Sequence, residues 1–209
     1  MILTDFEKAL LNGDRGQEAA QLMEIMLKVG EINGAEELVD VKHVMIGNTG
    51  MMSVAGETGI DFLCKLADAR ITIKVPTFTN VISLDLNQWK ELGISKEYAE
   101  IQMKAVEAWK KLSAILSCSC MPFSCGAIPR YQEHVAYADT ATVIFGNSFF
   151  GARSNRESDL ICLGAAVCGR VPRFGYHLAK NRVGQIAINV NAEMHADSCL
   201  LYTSPSPRD

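Results

Sequence analysis

Apolar residues along this chain recur at helical spacing in some stretches and at strand spacing in others, with polar runs between them. That alternation predicts an α/β domain. Thr4 before Asp5, Phe6 and Glu7 reads as a helix N-cap followed by an acidic first turn. From Arg15 to Gly30, residues Ala19, Leu22, Met23, Met26 and Leu27 fall on one helical face. Val39 to Ile46 alternates as a strand and runs into the turn-rich Gly47 to Gly50. Glu57 to Leu66 predicts a helix, Arg70 to Val75 a short strand, and Pro76 to Asn80 the loop leaving it. Ser95 opens a long helix to Leu112, with Ala99, Met103, Val106 and Trp109 helically spaced. Ile115 to Ser117 leads into a cysteine-bearing loop, Thr142 to Phe145 predicts a strand, and Ser158 to Cys168 a helix stopped by Gly169. Ile186 to Val190 predicts a last strand. Polar residues gather where the strands end, which is where open α/β sheets bind ligands.

Composition removes several function classes. The 209 residues are 48% hydrophobic and 21% charged, with a net charge of −4. An acidic chain without a basic run lacks the electrostatic footprint that nucleic-acid binding requires. No apolar stretch reaches the roughly 18 residues of a membrane span, and the N-terminus carries no charged-then-apolar signal. The expectation is a cytoplasmic protein with neither nucleic acid nor membrane as partner. Seven cysteines then read as reduced thiols, some metal-bound, rather than a disulfide framework. The run from Cys199 to Asp209 reads as a translated sequencing adapter. On that reading the reading frame is cut off after Ser198, and whatever follows it natively, including any ligands located there, is missing. A Pro/Ser-rich disordered tail is the alternative.

Two runs carry candidate chemistry. Cys118, Cys120 and Pro122 form a loop in which proline fixes the backbone and a thiolate can meet a metal. Cys125 is a further local candidate, and the three thiols together are an alternative zinc site. Cys64, Cys162 and Cys168 lie on apolar helical segments and read as small buried hydrophobes. The second run is Asn147 to Glu157. Arg153 and Arg156, with Ser154 and Asn155 between them, offer charge-assisted hydrogen bonds to a carboxylate or phosphate, or else serve as surface ion-pair partners. Asn147 and Ser148 follow a predicted strand, which suits ligand contact or an Asx-type turn equally. His134 and His177 invite a catalytic role, although a lone histidine is more often satisfied structurally.

Several motifs in order resemble the large, catalytic subunit of the aconitase X family, the group that contains archaeal phosphomevalonate dehydratase and bacterial cis-3-hydroxy-L-proline dehydratase. They are Leu3 to Gly13, Gly34 to Leu38, Trp89 to Gly93, Cys118 to Phe123, Gly151 to Arg156 and Gly169 to Leu178. The resemblance implies the N-terminal part of an aconitase-like catalytic domain and a hydro-lyase carrying an iron-sulfur cluster. It implies Cys120 as one cluster ligand, with Cys118 as runner-up and two further cysteines in a later half of the subunit. Thr49, Gly50 and Met51 match the family's first substrate loop, and Asn80 a position facing substrate. The proton-abstracting base is expected on a small swivelling-domain subunit, a separate polypeptide because Met1 coincides with the family's large-subunit start; His177 is a weak catalytic candidate on this chain. The implied substrate is a small hydroxy acid, mevalonate 5-phosphate first and cis-3-hydroxy-L-proline second. A non-catalytic zinc or iron-sulfur module, such as a redox sensor using Cys118 and Cys120, is the reading from another class.

Overall fold

The structure, a computed structural model, describes residues 1–47, 50–69, 71–80, 84–184, 186, 187, 189 and 191, without the side chains of residues 50–55. Helix α1 (Asp5–Leu11) begins as its sequence predicts. The Thr4 hydroxyl accepts the Glu7 N–H, and the Glu7 carboxylate accepts the Thr4 N–H at 2.7 Å, a reciprocal capping box. Helix α2 (Gln17–Ile32) buries the face carrying Ala19, Leu22, Met23 and Met26. The predicted strand over Val39 to Ile46 resolves into two. β1 (Leu38–Asp40) pairs antiparallel with β5 (Arg170–Pro172), while β2 (Val44–Ile46) enters another sheet. Helix α3 (Gly50–Asp68) bends at Gly56, whose φ of 57° and ψ of −144° interrupt the helical run. Helix α4 (Lys96–Lys111) starts on Ser95, whose hydroxyl accepts the Tyr98 N–H, and ends at Leu112. Helix α6 (Asp159–Cys168) starts on Ser158 and stops at Gly169, left-handed at φ 82°.

Three expectations are corrected. Ile71 to Val75 is not in a strand, and the strand β3 (Thr77–Thr79) lies inside the stretch assigned to a loop. Thr142 to Phe145 belongs to helix α5 (Thr140–Ser148), because the Asp139 carboxylate accepts the Ala141 N–H and caps a helical turn there. Ile186, Ala187 and Asn189 are not in a strand; the other residues of that predicted strand, Ile188 and Val190, lie outside the described residues, as do Arg70 and 199–209.

The second sheet positions the site. Its order is β3-β2-β4, with β4 (Ala136–Tyr137), and both pairings are parallel. Further lanes flank it. Ile115 bridges to Phe78 in parallel, exchanging backbone hydrogen bonds with Thr77 and Thr79, and Arg153 and Arg156 bridge in parallel to His134 and Tyr137. All these lanes run the same way, so their exits share one edge. The pleat sorts side chains by period two. Val44, Ile46, Ala136 and Ala138 enter the larger core with Leu22, Leu63, Trp109 and Leu163 from α2, α3, α4 and α6. Met45, Phe78 and Tyr137 enter a smaller core with Phe123 and, partly buried, Phe145 and Phe150. Tyr137 donates to or accepts from the buried His43 Nε2 at 2.7 Å, which fixes its ring between the sheet and α5. Burial pushes His43 down to about 4, with Glu133 opposing, so the ring is neutral at pH 7.

Helix α5 reaches the sheet only because Gly146 has no side chain: a Cβ there would stand 2.6 Å from Tyr137 Cε2. Gly146→Ala therefore lowers folding stability by about 1–3 kcal/mol, read by denaturant unfolding. An unchanged midpoint contradicts this packing. Glu7→Ala leaves the Arg170 guanidinium, 2.8 Å from the buried carboxylate, with the exposed Asp40 as its remaining ion partner and removes half the capping box. A loss of about 2–4 kcal/mol follows, measured the same way.

Candidate functional site

The exits of the parallel lanes gather polar groups at one edge. Gly47 leaves β2, and Asn80, half-buried, leaves β3 with its N–H on Ile46 O at 3.1 Å. Asp139 and Thr140 leave β4, and Arg156 leaves the outer lane. Arg156 is exposed, and its Nε donates to Thr140 Oγ1 at 3.0 Å. Asp159 opens α6 beside them. Burial raises its carboxyl to about 6; a hydrogen bond from the Gly47 backbone and the charge of Arg156 oppose the shift, and Asp139 adds to it. Asp159 Oδ1 is buried without a hydrogen-bond partner.

The cysteine loop leaves the lane next to β3 at the same edge. Cys118 takes a positive φ of 48°, its N–H donates to Thr79 O at 3.0 Å, and the Ser117 hydroxyl donates to the same oxygen at 3.1 Å. The Thr142 hydroxyl, from the first turns of α5, donates to Cys120 O. Pro122–Cys125 makes one 3₁₀ turn that drives Phe123 among Tyr137, Phe145 and Phe150. The loop is thus pinned on both sides while Cys118, Cys120 and Cys125 stay exposed. Among the described residues no three His, Cys, Asp or Glu side chains converge as metal ligands, so the three thiols of this loop do not assemble a zinc site. For an iron-sulfur cluster the donor set fits in part: one exposed thiol on a braced loop suits one ligand, and the described residues do not complete the set. Cys162 and Cys168 are buried, and burial raises both thiols, Cys168 to about 12. They are packing groups.

The second run divides. Arg153 and Arg156 flank opposite ends of β4 and are not brought together. Arg153 Nη1 donates to His177 O at 3.2 Å. Asn147 closes α5 as a buried brace rather than following a strand: its Nδ2 donates to Ser154 O and Val143 O, both at 2.9 Å, and its Oδ1 accepts the Ser154 N–H at 3.2 Å. Ser148 bonds back to Ile144 O at 2.6 Å. Asn155, also buried, donates to Glu157 Oε1 and Phe174 O and accepts the Tyr176 N–H at 2.8 Å. A Cβ on Gly175 would stand 2.2 Å from Asn155 Oδ1, so this turn requires glycine. His177 is fully buried, its Nδ1 2.9 Å from His134 Nδ1 and its Nε2 3.7 Å from Glu157 Oε1. Burial and the charges of His177, Arg153, Arg173 and Arg182 push His134 down to about 4. Thr49 lies outside the described residues; Gly50 and Met51 begin α3, the Met51 side chain being undescribed. Sequence reasoning missed Asp139, Thr140, Thr142 and Asp159. The strand-like pattern over Thr142 to Phe145 hides the cap of α5, and Asp159 in a first turn looks like any acidic N-terminus. A separate groove of about 720 Å³ lies at the entry side of β3, lined by Ile71 to Pro76 and Lys111, away from these groups.

The family model described as "Aconitase X first domain" matches residues 1–180. The chain belongs to the aconitase X family. It is 34% identical over 188 residues to the phosphomevalonate dehydratase large subunit of Methanothermobacter thermautotrophicus, covering 90% of this chain and 47% of that protein. The Methanocaldococcus jannaschii large subunit is also 34% identical, over 93% of this chain and 48% of its own length. The cis-3-hydroxy-L-proline dehydratase of Pseudomonas aeruginosa is 31% identical over 90% of this chain and 32% of that protein. The crystal structure of Thermococcus kodakaraensis aconitase X in its holo-form superposes with a TM-score of 0.75 at 30% identity, covering 87% of this chain and 45% of that one. The chain therefore spans about half the length of the phosphomevalonate dehydratase large subunits it matches, and its architecture is the aconitase X α/β fold. Among the described residues no helix is long and apolar enough to cross a membrane.

The Asp159 carboxyl gives this aconitase X chain a measurable pH signature. Its folded pKa of about 6 lies above the unfolded value near 3.8, so the folded state binds the extra proton between them, and stability falls as pH rises through that window. At pH 7.5 Asp159→Asn should be more stable than the parent by up to about 3 kcal/mol, the difference vanishing below about pH 4. Unfolding curves at both pH values check this.

Proposed function

We propose that this chain is the N-terminal part of the large subunit of an iron-sulfur hydro-lyase that dehydrates a small hydroxy acid, mevalonate 5-phosphate in the first instance. The observation that carries the reading is the convergence, at one edge of a parallel sheet, of the cysteine loop with Arg156, Thr140, Asp139, Asp159 and Asn80. The names of the relatives, the family-domain match over residues 1–180 and the family's fold support it.

In this proposal Cys120 holds the cluster from this chain, with Cys118 as alternative, and the other ligands come from outside the described residues. When bound, the cluster supplies a Lewis acid for the departing hydroxyl. Arg156 holds an anionic group of the substrate by charge-assisted bonds. Asn80 and residues 49–51 line the neighbouring strand exits, with backbone amides and polar side chains orienting the substrate. Asn147 and Asn155 act from behind, fixing the lane that carries Arg153 and Arg156, while Ser148 bonds back into α5. The proton-abstracting base belongs to a small swivelling-domain subunit that closes over this edge.

The second reading is cis-3-hydroxy-L-proline as substrate, favoured by the 31% identity to an enzyme so named. The two are separated by assaying the complete enzyme, purified with its small subunit under anaerobic conditions, on both compounds. Mevalonate 5-phosphate should be turned over. Cys120→Ser should abolish turnover and lower bound iron, and Arg156→Gln should raise KM by about tenfold or more. Full activity in Cys120→Ser removes the ligand assignment. Turnover of hydroxyproline alone replaces the substrate, and iron retention with no turnover of either sinks both.

A further inference from the structure

At the end of β4 opposite Arg156, two guanidinium groups stand close enough to repel each other. Arg182 is half-buried, its Nη1 donating to Asn147 Oδ1 at 2.6 Å and its Nη2 to Asn147 O at 3.2 Å. Arg153, also half-buried, donates to His177 O, and its Nε is buried with no hydrogen-bond partner. The acceptors that these two groups have are neutral oxygens. Among the described residues neither arginine has a carboxylate within 4.0 Å, whereas nearby Arg173 is paired with Glu37 and Arg170 with Glu7 and Asp40. Burial first, then the charge of Arg153, holds Arg182 below the ordinary arginine value, with Tyr131 and Tyr176 opposing. His134 faces His177, Arg153, Arg173 and Arg182 and stays neutral in their field.

Two half-buried cations without a counter-charge are costly, and a bound anion relieves both the repulsion and the idle donor. We propose that Arg153 and Arg182 form a binding site for a small dianionic oxyanion of the phosphate class. Two guanidinium charges match a dianion, and the N–H groups not spent on Asn147 and His177 are charged donors for its oxygens, while a monoanionic carboxylate leaves one charge unmatched. Nothing in this site uses the strand exits where the cysteine loop and Arg156 lie, so it stands or falls apart from the proposed dehydration.

The test is calorimetric titration of the chain with inorganic phosphate and, separately, acetate at constant ionic strength, joined to NMR of the histidine resonance that is absent from His134→Gln. Phosphate should bind saturably at one site and more tightly than acetate. It should also raise the His134 pKa from about 4, since an anion favours the imidazolium. Arg182→Gln should weaken phosphate by about tenfold or more, Arg182→Lys by less, and the remote exposed Lys28→Gln should leave it unchanged. Because the His134 readout needs only the unmutated chain and a resonance assignment, the proposal survives a poorly folding Arg182 variant. Absence of saturable phosphate binding, an unmoved His134 pKa, acetate binding as tightly as phosphate, or an equal loss in Lys28→Gln overturns it.

Discussion

The side-chain amide of Asn147 holds the polar half of this molecule in register. By donating to Ser154 O and accepting from Ser154 N it stands in for a strand partner, and so pulls residues 152–157 into line beside β4. Ser154 extends the clamp, its hydroxyl accepting the Tyr137 N–H and donating to Asn155 O. Asn155 then fixes the turn at Phe174 to Tyr176. Each of these groups is buried and each bond replaces one that water would otherwise make. A polar residue type that reads in sequence as ligand-binding is here the scaffold, and the groups it positions are the arginines.

That scaffold explains why two arginines three residues apart serve different ends of one strand. Extended backbone turns alternate side chains to opposite faces and advances them along the sheet. Arg156 arrives at the lane exits beside Thr140 and Asp159, while Arg153 stays at the entry of β4 beside His134 and His177. A helix at the same spacing would have placed them together. The parallel direction of all the lanes does the rest: it delivers the cysteine loop, Asn80 and the α5 and α6 N-termini to a single edge.

The helices that carry their own start signals were legible in the sequence. Thr4 with Glu7, Ser95 and Ser158 each cap the helix predicted from them, because capping is local chemistry between residues a few positions apart. The strands were not, because a strand needs a partner that sequence does not name. Val39 to Ile46 reads as one strand, yet its two ends pair in different sheets, and Ile71 to Val75 alternates without joining a strand. Thr142 to Phe145 is apolar and β-branched enough to suggest a strand, but the Asp139 cap and the close approach of Gly146 to Tyr137 decide for helix. At the site, the exposed thiols of Cys118 and Cys120 followed from their proline-bearing loop, whereas the buried roles of Asn147 and Asn155 depend on contacts 7 and 21 positions away.

The proposed dehydration requires substrate to meet this chain at the lane exits. Hydrogen exchange of the complete protein together with the small subunit proposed for it, with and without mevalonate 5-phosphate, reads that contact amide by amide. Exchange should slow at Gly47, Asn80, 117–121, 139–142 and 156–160, with 71–75 and 111–113 unchanged. Protection confined to the groove around Ile71 to Pro76 and Lys111, with the lane exits unaffected, would contradict it.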